Sequence, residues 1–303
     1  MTSLLAADIA EQAPLLGALL DRAQLGDAQR LVGSRRVVHL AGIGSSRHVA
    51  AYGAACLAAI GGHTATLLAA PGGGVPQPRL SPDDLLVLVS QSGETPALLE
   101  LAEGARASGA AVLALTNAPG SPLGFLADTV LGCDAGPERV VPATKSVTTA
   151  MLLLRALAAP VPPAAVRRLA LGTAAGTSPA VADAPPGFVV VGGLAGQAVA
   201  DEVALKLAEV AGLPAVPESL VDFLHGPAAV VSPVVALVDD DDPNRAALAA
   251  SDVQHLQWQR TGDAGLDRIA MVVAGQRFAL AWADALGVDP DDPKGLAKVT
   301  LTR

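Results

Sequence analysis

Three charged residues on one short stretch are the first candidates for chemistry. In Glu202-Val-Ala-Leu-Lys206-Leu-Ala-Glu209, the lysine follows the first glutamate by four residues and precedes the second by three. The three therefore share one face of a helix. Charges in such a row usually form a solvated ion-pair ladder. Here Val203, Ala204, Leu205, Leu207, Ala208 and Val210 surround them, which predicts a mostly buried helix. Buried charges are costly unless paired, and they concentrate at functional sites. A carboxylate held beside an ammonium in such a place can move a proton to and from carbon. His225 follows in Phe-Leu-His-Gly-Pro, where the Gly-Pro pair fixes a turn and presents the ring from a loop. His39, His48, His63 and His255 lack that setting and read as structural.

A second set of residues suits an anion. Gly42-Ile43-Gly44-Ser45-Ser46 and Ser90-Gln91-Ser92-Gly93-Glu94-Thr95 each follow a short apolar run and precede a helical stretch. Glycine lets the backbone approach an anion, and the helix N-terminus turns free N–H groups toward it. The hydroxyls of Ser90, Ser92 and Thr95 add neutral donors. Each hydrogen bond to a charged group contributes about 1.5–3 kcal/mol, so three or four hold a phosphate without lysine. Ala143-Thr144-Lys145-Ser146 begins another helix and is a candidate to close the ring. A Walker loop is excluded because Thr144, not glycine, precedes Lys145. A dinucleotide fingerprint is excluded because Arg47 follows where its third glycine belongs and no acid occurs from Gly61 to Ala70.

The elements that must position these residues alternate along the chain. Val37–Ala41, Ala65–Ala70, Leu85–Val89, Ala111–Leu115 and Thr129–Cys133 read as strands, apolar on both faces. Arg47–Ile60, Pro96–Ser108 and Lys145–Ala159 read as helices between and after them. Pro160, Pro162 and Pro163 then stop the helix, and the pattern restarts with a strand at Phe188–Val191, a helix at Gln197–Ala211 and a strand at Val234–Val238. The fold class expected is α/β, with two doubly wound parallel-sheet units of flavodoxin or Rossmann type in tandem. The expected division is a helical arm at 1–35, a first unit at 36–160, a linker at 161–186 and a second unit at 187–303.

Composition removes several classes. The net charge of −9 argues against a broad nucleic-acid footprint. No apolar run approaches the roughly 18 residues of a membrane span, so no membrane partner is expected. The start of the chain, with Asp8 and Glu11 early, does not read as a secretory signal. The 2 cysteines, Cys56 and Cys133, are too few and too far apart for a disulfide framework or zinc site, so no metal and a cytoplasmic location are expected. Of the 20 basic residues only Lys145, Lys206, Lys294 and Lys298 are lysines, and each falls in or beside one of these motifs.

Taken together, the blocks Ser90–Thr95, Ala143-Thr144-Lys145, Glu202–Glu209, His225-Gly226-Pro227 and Leu296-Ala297-Lys298 resemble the sugar isomerase (SIS) domain family. They are most similar to the isomerase half of glucosamine-6-phosphate synthases, over about residues 36 to 303. The resemblance implies two SIS units, no cofactor and a homodimer. It implies that Gly44, Ser45, Ser46, Ser90, Gln91, Ser92, Thr95, Ala143 and Thr144 line the phosphosugar site, with Lys145 and Lys294 as further candidates. It implies Glu209 as the base moving a proton between the first two sugar carbons, with Lys206 beside it. It implies His225 in ring opening, reaching in from the neighbouring subunit, and Lys298 engaging the open-chain ketose. Ala143 and Lys294 depart from the family's usual serine and arginine. No cysteine follows Met1 to serve as the nucleophile of a glutamine-hydrolysing half. The function expected is therefore an amino-sugar-phosphate deaminase and ketose–aldose isomerase, turning a substrate like glucosamine 6-phosphate into fructose 6-phosphate and ammonia. A fructosamine-phosphate deglycase, a plain phosphosugar isomerase and a non-catalytic sugar-phosphate sensor are the alternatives.

Overall fold

The computed structural model describes residues 3–23, 25–69, 78–175, 185–193, 196–229, 233–250 and 253–295. The chain opens with helices α1 (Leu4–Arg22) and α2 (Leu25–Gly33). An α/β run follows: β1 (Val37–Ala41), α3 (Ser45–Ala59), β2 (Ala65–Leu67), β3 (Asp84–Val89), α4 (Pro96–Ala107), β4 (Ala111–Thr116), α5 (Pro122–Leu126), β5 (Thr129–Gly132) and α6 (Lys145–Ala158). After α7 (Pro163–Ala175) the alternation repeats as β6 (Phe188–Gly192), α8 (Gln197–Ala211), β7 (Ala215–Ser219), α9 (Leu220–Leu224), β8 (Val234–Leu237), β9 (Val253–His255) and α10 (Ala264–Leu286).

Two parallel sheets result, one ordered β2-β1-β3-β4-β5 and the other β7-β6-β8-β9. The chain forms two compact units around them. The first holds Pro14–Glu138 and Lys145–Val166. The second holds Arg139–Thr144, the chain from Arg167 onward to the last described residues, and the first half of α1 up to Ala13. Within the second unit, Arg139 donates to Asp8 through Nη1 (2.8 Å) and through its backbone N–H (2.9 Å).

Burial explains why the strands are apolar on both faces. Every residue of β3 and β4 is buried, because helices cover the first sheet on both sides. α3 packs with α6, and α4 packs with α5 over a core that includes Leu86, Leu88, Leu98, Val112 and Leu123. In the second unit Val189, Val191, Phe223, Val234 and Ala236 form the corresponding core. Asp84 is the acidic exception in β3. Its carboxylate accepts from the Ser81 backbone N–H and hydroxyl, both at 2.8 Å, and pairs with Arg36 at 3.2 Å.

The two sheets bear out the doubly wound reading. Several elements differ from the sequence expectation: α5, α9 and α10 were not expected, and β2 covers only Ala65–Leu67 of the strand expected at Ala65–Ala70. The proline-rich stretch expected to be linker carries α7, because Pro163 occupies the first helical position, where a missing N–H costs no hydrogen bond. β7 was not expected, since Pro217 in its middle argues against a strand. It is tolerated because β7 lies at the sheet edge. β9 is only three residues long and has no pattern of its own.

α10 is long and apolar enough to cross a membrane by composition, but 61% of its most apolar window is buried within the protein. Its contact with α8 depends on Gly275. A Cβ there would lie 2.2 Å from Val203 Cγ2 and 3.1 Å from Val203 Cβ, and a β-branched side chain in a helix has little freedom to move aside. Gly275→Ala is expected to lower stability by about 1–3 kcal/mol in urea unfolding, despite alanine's better helix propensity. Asp84 titrates below the ordinary carboxylate range: burial pushes it up, but the Ser81 hydrogen bonds and Arg36 more than offset that. Its contribution is therefore full at neutral pH and lost as pH falls below about 4. Asp84→Asn should remove part of the acid sensitivity seen in pH-dependent melting.

Candidate active site

In the first unit the chain leaves β1 toward β2 on one side, then returns to place β3 on the other. That reversal opens a crevice at the carboxyl ends of β1 and β3, where ligands of open parallel sheets bind. Ala41 and Leu88 are register partners, so the loops after these two strands are neighbours across it. They are the Gly42–Ser46 and Ser90–Thr95 loops.

Both are built for close approach. Gly42 has no room for a Cβ, which would stand 2.3 Å from the Ser46 carbonyl oxygen. Gly44 caps α3 with φ at 59°, and Ser45 and Ser46 form the first turn. Gly93 has φ at 67° and would clash with Ser121 if it carried a side chain. The Gly93 N–H donates to buried Ser90 Oγ at 3.1 Å, and Thr95 Oγ1 lies 3.4 Å from the same oxygen. Ser92 Oγ accepts from the Glu94 N–H at 3.2 Å, and its proton has no acceptor among the described residues. Thr95 caps α4 by position without a side-chain hydrogen bond to the helix. The Gln91 carbonyl accepts from the Asn117 N–H at 3.1 Å and from Thr116 Oγ1 at 3.3 Å. These supports come from the end of β4, and no spacing in the sequence pairs them with Gln91.

Lys145 opens α6 in the first unit and is wholly buried; Ala143 and Thr144 belong to the second. The α6 N-terminus is occupied by Glu138, which accepts from the Ser146 N–H at 2.8 Å and hydroxyl at 2.6 Å. Glu138 was not foreseen, because it reaches its partner across an irregular loop.

The second unit has the same kind of strand reversal between β6 and β8 but the opposite electrostatics. Asp239–Asp242 follow β8. Asp239 is engaged by Arg268 at 2.7 Å and Arg260 at 3.3 Å. The acids and arginines after β8 pair with one another, which leaves the uncharged donors of the first crevice better suited to an anion.

The charged row on α8 is as buried as its apolar neighbours predict. The Lys206 side chain is 1% exposed and Glu202 is 2% exposed at 3.5 Å from it, while Glu209 is 18% exposed. Lys206 Nζ donates to Glu209 Oε2. Burial alone would push the ammonium down, but the two carboxylates hold it above the ordinary lysine range. Glu209 is thus the one member of the row that meets solvent. His225 caps the end of α9, exposed, with Nδ1 2.8 Å from the Val221 carbonyl, and Nε2 has no hydrogen-bond partner among the described residues. Among the described residues no hydrogen bond joins His225 to Glu209. Lys294 is exposed near the end of the described chain, and Lys298 lies outside the described residues. Cys133 is no nucleophile: burial, then Asp134 and Glu138, push its thiol up to about 12.

Residues 31–160 match the SIS domain family model. The glutamine–fructose-6-phosphate aminotransferase [isomerizing] of Aeropyrum pernix is 30% identical over 93% of this chain and 54% of its own length. The chain spans about half the length of the curated relatives it matches. Among solved structures, a candidate phosphosugar isomerase from Silicibacter pomeroyi DSS-3 superimposes with a TM-score of 0.80 at 27% identity, covering 95% of this chain and 100% of that one. The glucosamine-6-phosphate deaminase of Thermotoga maritima gives a TM-score of 0.80 at 18% identity over 98% of this chain and 99% of that one, a likeness of fold. The motifs, both sheets and these relatives agree: residues 31–160 form a SIS domain, and the chain is similar along nearly all its length to the glutamine–fructose-6-phosphate aminotransferases [isomerizing] and to phosphosugar isomerases.

Proposed function

We propose that the protein is a phosphosugar-processing enzyme that moves a proton between the first two carbons of an amino-sugar phosphate and releases ammonia. The observation that carries this reading is the α8 row: a buried, charged lysine holding one glutamate that opens to solvent. The serine loops of the first unit, with Gly44, Ser45, Ser46, Ser90, Gln91, Ser92 and Thr95, bind the phosphate. Glu209 takes the proton from the second carbon and returns it to the first, through an enolamine. The resulting ketimine adds water and loses ammonia, leaving fructose 6-phosphate. His225 assists ring opening across a homodimer, and Lys298 engages the open-chain sugar. The relatives named glutamine–fructose-6-phosphate aminotransferase [isomerizing] support a reading that joins nitrogen chemistry to sugar isomerisation. A cytoplasmic enzyme fits two buried, unbridged cysteines.

Mass spectrometry of products from a panel of phosphorylated amino sugars, fructosamine phosphates and plain ketose phosphates tests the substrate. Ammonia release from glucosamine 6-phosphate is expected. Amino-acid release, or isomerisation alone, would move the assignment to a deglycase or plain isomerase. Binding without turnover of any member would make the protein a sensor. Glu209→Gln is expected to lower kcat by about 10²–10⁴-fold with little change in substrate affinity; near-normal kcat would remove Glu209 from the mechanism.

Lys206 makes a separate prediction. Lys206→Met removes the buried ammonium that lies between two carboxylates and should cost about 3–5 kcal/mol in urea unfolding. Because the folded lysine titrates above its unfolded value, its stabilisation is fully present below about pH 10.4 and is lost only as pH rises past that. The deficit of the variant should therefore be constant from pH 6 to 9 and shrink at higher pH.

A further inference from the structure

The second unit contains a cavity of about 410 Å³ that none of the proposed catalytic or phosphate-binding residues lines. It lies between the last turn of α7, the segment that follows β9 and one side of α10. Its volume falls in the range of small-molecule sites. Leu256, Val273 and neighbouring alanines give it apolar walls, and Trp258 adds a flat aromatic one.

Its polar residues are unusual in lacking partners. Six buried side-chain N or O atoms are without a hydrogen bond among the described residues, and three of them belong to this lining: Thr173 Oγ1, His255 Nδ1 and Trp258 Nε1. Thr173 is only 4% exposed. A buried polar atom left unpaired costs about 1–3 kcal/mol, so three beside one cavity mark a place where hydrogen-bond partners are missing. Arg277 is the only charged residue in the described lining, and no carboxylate among the described residues pairs with it. It donates through Nη2 to the Thr173 carbonyl, which uses one of five guanidinium N–H groups. Burial pushes its pKa below the ordinary arginine value with no opposing charge. In a chain of net charge −9, with acids abundant elsewhere, an acid-free cavity holding an uncompensated guanidinium is a site of complementary sign for an anion.

We propose that this cavity binds a small organic oxyanion, a carboxylate or phosphate ester on a flat apolar body. Arg277 takes the charged oxygens, and Thr173 and Trp258 turn their orphaned donors to it as the ligand enters. The apolar body lies against Trp258, Leu256 and Val273. The site is distinct from the proposed active-site residues and suits an effector of the enzyme rather than its substrate.

The chain has 2 tryptophans, and the other, Trp282, packs on Phe188 and Phe278 at 5.5 and 6.2 Å. In a Trp282→Phe background, Trp258 emission reports this cavity alone, independently of any phosphate bound by the serine loops. Phenyl phosphate and benzoate are titrated, with phenol as the uncharged control and inorganic phosphate as the charge without the body. Saturable change in emission with either aromatic oxyanion is expected, and the better of the two identifies the head group. Arg277→Met should weaken it by roughly tenfold or more, the loss of a charged hydrogen bond. Thr173→Val, which keeps side-chain shape and the backbone carbonyl that Arg277 caps, should weaken it several-fold and carries the test if circular dichroism shows the arginine variant unfolded. No saturable response to any oxyanion, equal response to phenol, or unchanged affinity in a folded variant would overturn the proposal.

Discussion

The second unit depends on keeping one ammonium charged inside an apolar helix bundle. Lys206 has almost no exposure, and a lone buried lysine would lose its proton or unfold its surroundings. Two carboxylates one helical turn away on either side prevent that. The cost is a strict geometry: α8 must be covered closely enough to exclude water from Lys206 and Glu202 while leaving Glu209 at the edge. α10 supplies the cover, and the absence of a side chain at Gly275 lets it approach Val203, next to Glu202. The same burial that makes the lysine expensive makes the open glutamate useful, since its neighbour is a fixed positive charge rather than water.

The first unit meets a different constraint with different chemistry. In the proposed function an anion at the β1/β3 crevice is received by backbone N–H groups and hydroxyls, which need no counter-charge. What they need is backbone proximity, and Gly42, Gly44 and Gly93 provide it. The second sheet repeats the topology, but the acids after β8 turn its crevice to arginine pairing. One fold repeated twice thus serves two ends, decided by the residues at the strand ends rather than by the architecture.

Much of this was legible along the chain. Long buried strands announce themselves as short apolar runs, and β1, β3, β4 and β6 fall within a residue of their expected bounds. Short edge strands do not. β7 has a proline and four partly exposed or exposed neighbours, and β9 is too short for any period, so only pairing with β6 and β8 creates them. α7 was hidden for a related reason: proline ends one helix and begins another, and the sequence alone does not say which. Among site residues, Ser90 to Thr95 and the α8 row were visible as motifs. Their supports, Thr116, Asn117 and Glu138, were not, because each reaches its partner through space rather than through a turn of helix.

The sequence by itself determined what lies within one turn or one strand: the shared face of Glu202, Lys206 and Glu209, the glycines beside the serines, and the family these resemble. Regular spacing fixes such neighbours wherever the element is placed. The tertiary structure alone decided burial and company. It made Lys206 wholly enclosed and Glu209 only partly so, brought the two serine loops to one crevice, and set Arg277 beside a cavity with no paired carboxylate among the described residues. Those outcomes depend on which surfaces cover an element. A chain position carries no measure of that until the elements have packed.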